Sequence, residues 1–235
     1  MTIKIDEWLK SAQNALLPSA CLLCHDPTVP PGRLCAPCRA ELPWLGRACR
    51  HCALPLAPAA ETETCADCRR APRFDAAAAV GHYSGTLRWL IIGLKFRARL
   101  SHAEALAELL AGRLASQGLA TPDLLIPVPL HVTSFQRRGF NQAERIAARL
   151  ASRLGTTVER DAAWRTRATA RQSELDASAR AANVRDAFAC RIDLSGRHVA
   201  IVDDVLTTTR TAAALARALR AAGATRIDCY SVARA

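Results

Sequence analysis

The chain is short of lysine, of aromatic residues and of long apolar runs. Of its 32 Lys and Arg residues only Lys4, Lys10 and Lys95 are lysine, and aromatics make up 5% of the 235 residues. Aromatics this sparse, and little interleaved with the arginine-rich segments, do not make an evident stacking platform for single-stranded nucleic acid. No apolar run approaches the roughly 20 residues of a membrane-spanning helix, so no membrane insertion is expected. The opening "MTIKIDEWLKSAQNALLPSA" mixes Asp6 and Glu7 with Lys4 and Lys10 and has no uninterrupted apolar segment of the kind a secretory leader carries. A cytoplasmic protein is therefore expected. Ile5, Leu9, Ala12 and Leu16 share one face of a helix over 1–18, which would dock on the protein's own body or on a partner. With half its residues apolar, the chain is globular, and long enough for one substantial domain plus a smaller one.

The net charge of +11 is unevenly spread, because residues 1–75 hold nine Lys/Arg against eight Asp/Glu. Nearly all the excess falls in 76–235, a distribution that favours polyanionic or phosphorylated ligands there. The cysteines show the opposite bias. Eight of ten form four CxxC pairs in the first seventy residues: Cys21/Cys24, Cys35/Cys38, Cys49/Cys52 and Cys65/Cys68. A CxxC turn presents two thiolates on one side, and two such turns complete a tetrahedral shell around Zn²⁺. A disulfide framework requires an oxidising compartment, and a redox CxxC would need one pair beside a βαβ unit rather than four in series. The reading is two structural zinc ions in a module over 19–72, whose Pro- and Ala-rich sequence has little else to fold it. Consecutive pairs sharing an ion would make a double zinc ribbon, and interleaved pairs a cross-brace. His25 and His51 lie beside ligand positions, but eight thiols already complete both shells. Loaded with two ions, the module is net acidic and reads as structural or protein-binding. Cys190 and Cys229 lie in apolar, strand-like contexts and are expected to be ordinary buried residues.

After Pro72 apolar runs alternate with helical periodicity. "AAAAVGHYSG" (76–85), "DLLIPVPL" (123–130), "HVAIVDD" (198–204) and "RIDCYSVARA" (226–235) read as strands, too continuously apolar to be half exposed. Helices are expected over "TLRWLIIGLKF", over 101–119 with Ser101 and Glu104 at capping-box spacing, over "NQAERIAARLASRLG", and over "TTRTAAALARALRAAG". The alternation implies an α/β domain over 76–235, a parallel sheet with helices on both faces, whose ligands sit at the carboxyl ends of the strands. "PVP" and the Asp203–Asp204 pair both fall at such ends.

The stretch "VAIVDDVLTTTRT" delivers two acids and then a hydroxyl-rich turn opening a helix. Free N–H groups at that helix start favour a phosphate, and the adjacent carboxylates suit ribose hydroxyls or Mg²⁺. A ribose 5-phosphate bearing a pyrophosphate needs all of these within one sugar's length. The motif resembles the 5-phosphoribosyl-1-pyrophosphate (PRPP) motif of type I phosphoribosyltransferases, in which two acids precede a Thr-Thr-Gly-x-Thr turn. The whole chain resembles the ComF (GntX-like) family, amidophosphoribosyltransferase-like and competence-associated, on "LKFRARL" (94–100), "PVPLHVTSFQRRGFNQAERIA" (127–147) and "RTRATARQSELDASARAANVRDAF" (165–188), behind the four CxxC pairs.

The resemblance implies a PRPP site at Asp203, Asp204, Thr207, Thr208, Thr209, Arg210 and Thr211, with Mg²⁺ accompanying the ligand and the two acids at the catalytic centre. It implies pyrophosphate or partner contacts at Lys95, Arg137 and Arg138, and at Arg167 and Arg171 within a flap spanning about 160–186. Thr209 departs from the family's usual glycine: the turn either keeps a negative φ there or is strained, and the Arg210 guanidinium could compensate. Three functions follow: a phosphoribosyltransferase releasing pyrophosphate, a non-catalytic PRPP sensor, or a single-stranded-DNA-binding protein working with competence-machinery proteins.

Overall fold

The computed structural model describes residues 20–27, 34–165 and 187–235. The expected helix over 1–18, the positions Arg167 and Arg171, and the body of the expected flap lie outside the described residues. The chain divides into two compact units, Met1–Leu42 and Pro43–Ala235. That division falls between the two halves of the cysteine-rich segment. The first unit contains the short helix α1 (Ala36–Ala40) and an antiparallel bridge between Ala20 and Pro27.

The second unit is built on a five-stranded sheet of β1 (Ala76–His82), β2 (Leu124–Pro127), β3 (Thr157–Val158), β6 (His198–Leu206) and β7 (Arg226–Arg234), in the order β1-β7-β6-β2-β3. Every pairing in it is parallel. Apolar side chains on both faces explain why: Ala77, Ile201 and Cys229 face one side, Ala78, Val202 and Val232 the other, and all are buried. On the first face Leu215 and Leu219 of α7 (Arg210–Ala221) join the core. Helices α4 (Ser101–Ser116) and α6 (Gln142–Leu154) pack on each other, with α4 against β1 and β7 and α6 against β2, β3 and β6. Helix α3 (Gly85–Arg97) packs on α4.

The helix over 101–119 begins differently from the expectation. Ser101 is already helical, Leu100 occupies the cap without a side-chain hydrogen bond, and Glu104 instead accepts from Arg153 at 2.6 Å and lies 3.3 Å from Arg149. Tertiary ion pairing to α6 takes the carboxylate that a capping box would use. Helix α6 keeps its expected ends, with Asn141 accepting from Ala143 N at 3.0 Å and Gly155 left-handed at φ 68°. Three elements had no periodic signal: α5 (Val132–Arg138), inside the segment after "PVPLH", and β4 (Ala163–Arg165) with β5 (Phe188–Cys190), an antiparallel ribbon. Helix α2 (Ala66–Arg70) carries Cys68.

The segment from Pro43 to Arg50 covers the edge of β1. Leu45 N donates to Val80 O at 3.0 Å, His82 N to Pro43 O at 2.8 Å and Ala77 N to Arg50 O at 2.7 Å. This approach requires glycine at 81, where a Cβ would meet Pro43 O at 2.3 Å. Gly81→Ala is expected to lower stability by about 2 kcal/mol through overpacking against backbone that has little room to move, read from the urea midpoint at unchanged slope.

Candidate functional site

A cavity of about 240 Å³ opens at the carboxyl ends of β2 and β6. Its walls are Lys95 from the last turn of α3, residues 128–130 after β2, Arg138 and Gln142 around the α5–α6 corner, Arg165 from β4, and the run Asp203–Thr211. The fold thus gathers Lys95, Arg138, both acids and the whole Thr207–Thr211 turn. It leaves Arg137 exposed and off the cavity wall, although the neighbouring Arg138 lines it.

Asp204 is buried at 3% exposure, and its Oδ2 lies 2.8 Å from Lys95 Nζ. The ammonium and the carboxylate form a close, largely buried ion pair at the cavity wall. Asp203, half-buried beside it, accepts from Asp204 N through Oδ1 at 2.9 Å. Burial and the adjoining Asp204 carboxylate push the Asp203 carboxyl well above the usual carboxylate range, against the opposing pull of Lys95. Burial lowers the pKa of both wall arginines, with Asp204 acting the other way on Arg138 and Asp203 on Arg165. Arg138 donates to Gln142 Oε1 at 2.7 Å and lies 5.1 Å over Phe96. Arg165 donates through Nε to Pro129 O at 3.1 Å and lies 5.1 Å over Phe188. Asn141 Nδ2 in turn holds Val128 O at 3.0 Å, so the loop after β2 is fixed from the same corner.

Thr209 resolves the question its sequence raised. It is left-handed, φ 59° and ψ −3°, and caps α7 while only 3% exposed. For a β-branched residue that conformation costs about 1–2 kcal/mol. Its hydroxyl donates to Thr208 O at 2.6 Å and accepts from Arg73, whose Nη1 also donates to Thr208 O at 3.2 Å. Arg234, at the end of β7, donates through Nη1 to Leu206 O at 3.0 Å and to Thr207 O. Two guanidiniums, the exposed Arg73 and the buried Arg234, therefore hold the carbonyls of the turn. Arg210 lines the cavity from an exposed position.

The cysteines form two four-sulfur clusters of consecutive pairs, Cys21/Cys24/Cys35/Cys38 and Cys49/Cys52/Cys65/Cys68, with all sulfurs of a cluster within 4.8 Å of one another. Cys24–Cys35 and Cys52–Cys65 sulfurs lie 3.5 and 3.7 Å apart. These spacings exceed a disulfide bond and match the roughly 3.8 Å edge of a tetrahedron with 2.3 Å zinc–sulfur bonds. The donor set fits two structural zinc ions. Burial pushes the Cys52 thiol up to about 11, while backbone hydrogen bonds from Cys24, Cys35 and Leu23 outweigh burial and bring Cys21 down to about 6. Cys229 is buried in β7, as expected, whereas Cys190 in β5 is only half-buried.

Residues 12–69 match the double zinc ribbon domain family, and residues 102–235 match the phosphoribosyl transferase domain family. The chain belongs to the phosphoribosyltransferase-domain family. Over 224 residues it is 34% identical to "DNA utilization protein YhgH" of Salmonella typhimurium strain LT2, covering 93% of this chain and 98% of that protein. It is 32% identical over 210 residues to "Competence protein F" of Haemophilus influenzae, covering 86% and 90%. Among solved structures, a purine phosphoribosyltransferase from Pyrococcus horikoshii Ot3 is 19% identical with a TM-score of 0.34, covering 55% of this chain and 80% of that one.

Within this phosphoribosyltransferase-domain chain, Gln142 and Arg165, which fall in the segments 127–147 and 165–188 but were given no role of their own, line the cavity, and Arg73 and Arg234 join the turn without having been foreseen. Arg73 carries no readable signal: it meets Thr209 across 136 positions of sequence.

Proposed function

We propose that the cavity binds PRPP, with ribose hydroxyls donating to Asp203 and Asp204, the 5-phosphate on the Thr207–Thr211 turn, and the pyrophosphate toward Lys95, Arg138 and Arg165. The observation that carries this reading is the convergence of two acids and four cations, Lys95, Arg138, Arg165 and Arg210, on one cavity at a helix start. Asp204, buried and paired with Lys95 at 2.8 Å, supports it further, because a carboxylate oxygen has lone pairs left to accept from a sugar hydroxyl. Mg²⁺, bound mainly through phosphate oxygens, would neutralise the leaving group; the acid pair and its lysine suit hydroxyls better than a bare ion. In a transferase reaction the C1–pyrophosphate bond breaks as a bond to the acceptor nucleophile forms, and the pyrophosphate leaves with its electron pair. A cavity of about 530 Å³ containing Phe135 and Trp164 shares Pro129, Leu130 and Arg165 with the first and offers room for an acceptor. The relatives named for DNA utilization and competence support a role in handling DNA or its nucleotides, in the cytoplasm, with the zinc module meeting other proteins of that machinery.

The test is calorimetric titration of PRPP with Mg²⁺ into the full chain. Low-micromolar binding is expected, and none would end this reading. Binding should release protons over the pH range in which Asp203 titrates. Its pKa is raised in the free protein and hydroxyl donors favour the ionised form, so affinity rises with pH until Asp203 is fully ionised. Apparent enthalpies that agree between two buffers of different ionisation enthalpy would contradict that linkage.

The single-stranded-DNA reading has the excess charge of 76–235 in its favour. The Trp89 ring already has Arg99 at 5.3 Å and His102 at 5.0 Å from its centroid. DNA affinity that falls steeply with salt and survives Asp203→Asn would separate that activity from the PRPP cavity.

A further inference from the structure

Arg73 belongs to the segment that leaves the second cysteine cluster, five residues beyond Cys68. The backbone around it is clamped from both sides. His51, between Cys49 and Cys52, donates through Nδ1 to Phe74 O at 3.0 Å, and Phe74 itself is buried in the main core. Asp75 Oδ2 accepts from Ile227 N at 2.7 Å and from Arg220 at 2.8 Å, tying the next residue to β7 and α7. From this fixed base the guanidinium reaches Thr208 O at 3.2 Å and the Thr209 hydroxyl. Both atoms lie beside the left-handed step at Thr209, φ 59°.

We propose that Arg73 is a positioning residue for the phosphate turn, holding Thr209 in a conformation that glycine would adopt unaided, and that the second cysteine cluster places it. The inference rests on the turn being the PRPP phosphate site. Its physical content is a trade between two positions far apart in sequence. A glycine at 209 has no Cβ to oppose a positive φ and needs no external hold. A threonine there has its hydroxyl and the preceding carbonyl hydrogen-bonded to each other, and a donor to each of them ties the turn to the rest of the fold. Arg73 supplies both from one guanidinium nitrogen, on a stem whose backbone neighbours are pinned to the cluster loop and to the sheet. Arg234 reaches only the carbonyls upstream, at Leu206 and Thr207, so it does not duplicate this contact.

The experiment is a double-mutant cycle of Arg73→Ala and Thr209→Gly, read by PRPP/Mg²⁺ affinity of the full chain and, without ligand, by the urea midpoint. Arg73→Ala alone should weaken PRPP binding about tenfold, the loss of one charged hydrogen-bonding group. With Thr209→Gly already present, the same change should alter affinity less than about twofold, and the urea midpoints should show coupling of the same sign. Arg73→Lys, which keeps the charge but not the planar fork, should fall between. Equal effects of Arg73→Ala in both backgrounds would overturn the proposal, as would no effect in either. If the parent chain binds no PRPP, the function reading fails by itself. The ligand-free cycle then decides this inference: coupled midpoints support the hold on Thr209, and additive ones overturn it.

Discussion

Cys65→Ser is expected to lower the melting temperature of the α/β unit by roughly 10 °C, whereas Cys35→Ser leaves that transition within about 2 °C of the parent. The two cysteines have the same motif and the same expected ion, but they belong to different compact units. The second cluster closes the segment that contributes Leu45, Ala53 and Phe74 to the core and hydrogen-bonds the edge of β1. Releasing its ion loosens a segment whose remaining hold is that packing and hydrogen bonding, and losing the burial of Leu45 and Phe74 alone costs about 2 kcal/mol each. About 4 kcal/mol lost from a unit of this size corresponds to the stated shift. The first cluster supports only its own small unit. Calorimetric melting of each variant, with zinc content measured alongside, checks the difference: each should retain one ion per chain, and equal shifts of the main transition would refute the unequal roles. A strong chelator should reproduce the Cys65→Ser result, and restored zinc should reverse it.

How far this architecture could be read from the amino-acid sequence depends on the range of the interaction. The metal clusters were legible because ligand spacing is local: two CxxC turns encode their own geometry, and only the choice between consecutive and interleaved pairing needed the fold. The strands of the parallel sheet were legible where burial on both faces leaves a continuous apolar run, as in "AAAAV" and "HVAIV". The acid pair and threonine turn were legible as a linear motif. What escaped is non-local. Glu104 matched a local capping pattern but is taken by two arginines some 45 positions away. The cysteine-rich segment reads as one module, and the backbone hydrogen bonds that tie Pro43 to Arg50 onto β1 are not encoded in its composition. Thr209 invited a local answer in Arg210; the side chain that meets it comes from Arg73.

Replacing both acids, Asp203→Asn with Asp204→Asn, is expected to reduce PRPP affinity at least about 100-fold, since hydrogen bonds to charged acceptors contribute roughly 1.5–3 kcal/mol each. The single changes should not be equivalent. Asp204 is buried and paired at 2.8 Å with Lys95, so Asp204→Asn also leaves the ammonium without its counter-charge at the cavity wall. Asp203 already carries a proton more readily than an ordinary carboxyl, so Asp203→Asn changes the charge of the free cavity less. The expected signature is therefore a loss of fold stability with Asp204→Asn that Asp203→Asn does not share, together with a loss of affinity in both. Lys95→Met separates the two contributions further. It removes the pyrophosphate-side cation and raises the Asp203 pKa again, so the affinity that remains should shift its rise to higher pH, the direction opposite to Asp204→Asn, which removes the like charge holding that pKa up. Affinity profiles against pH for the three variants, with urea midpoints measured on the same samples, test this; profiles that move the same way for Lys95→Met and Asp204→Asn would mean that the acid pair and its lysine do not act as one charge network.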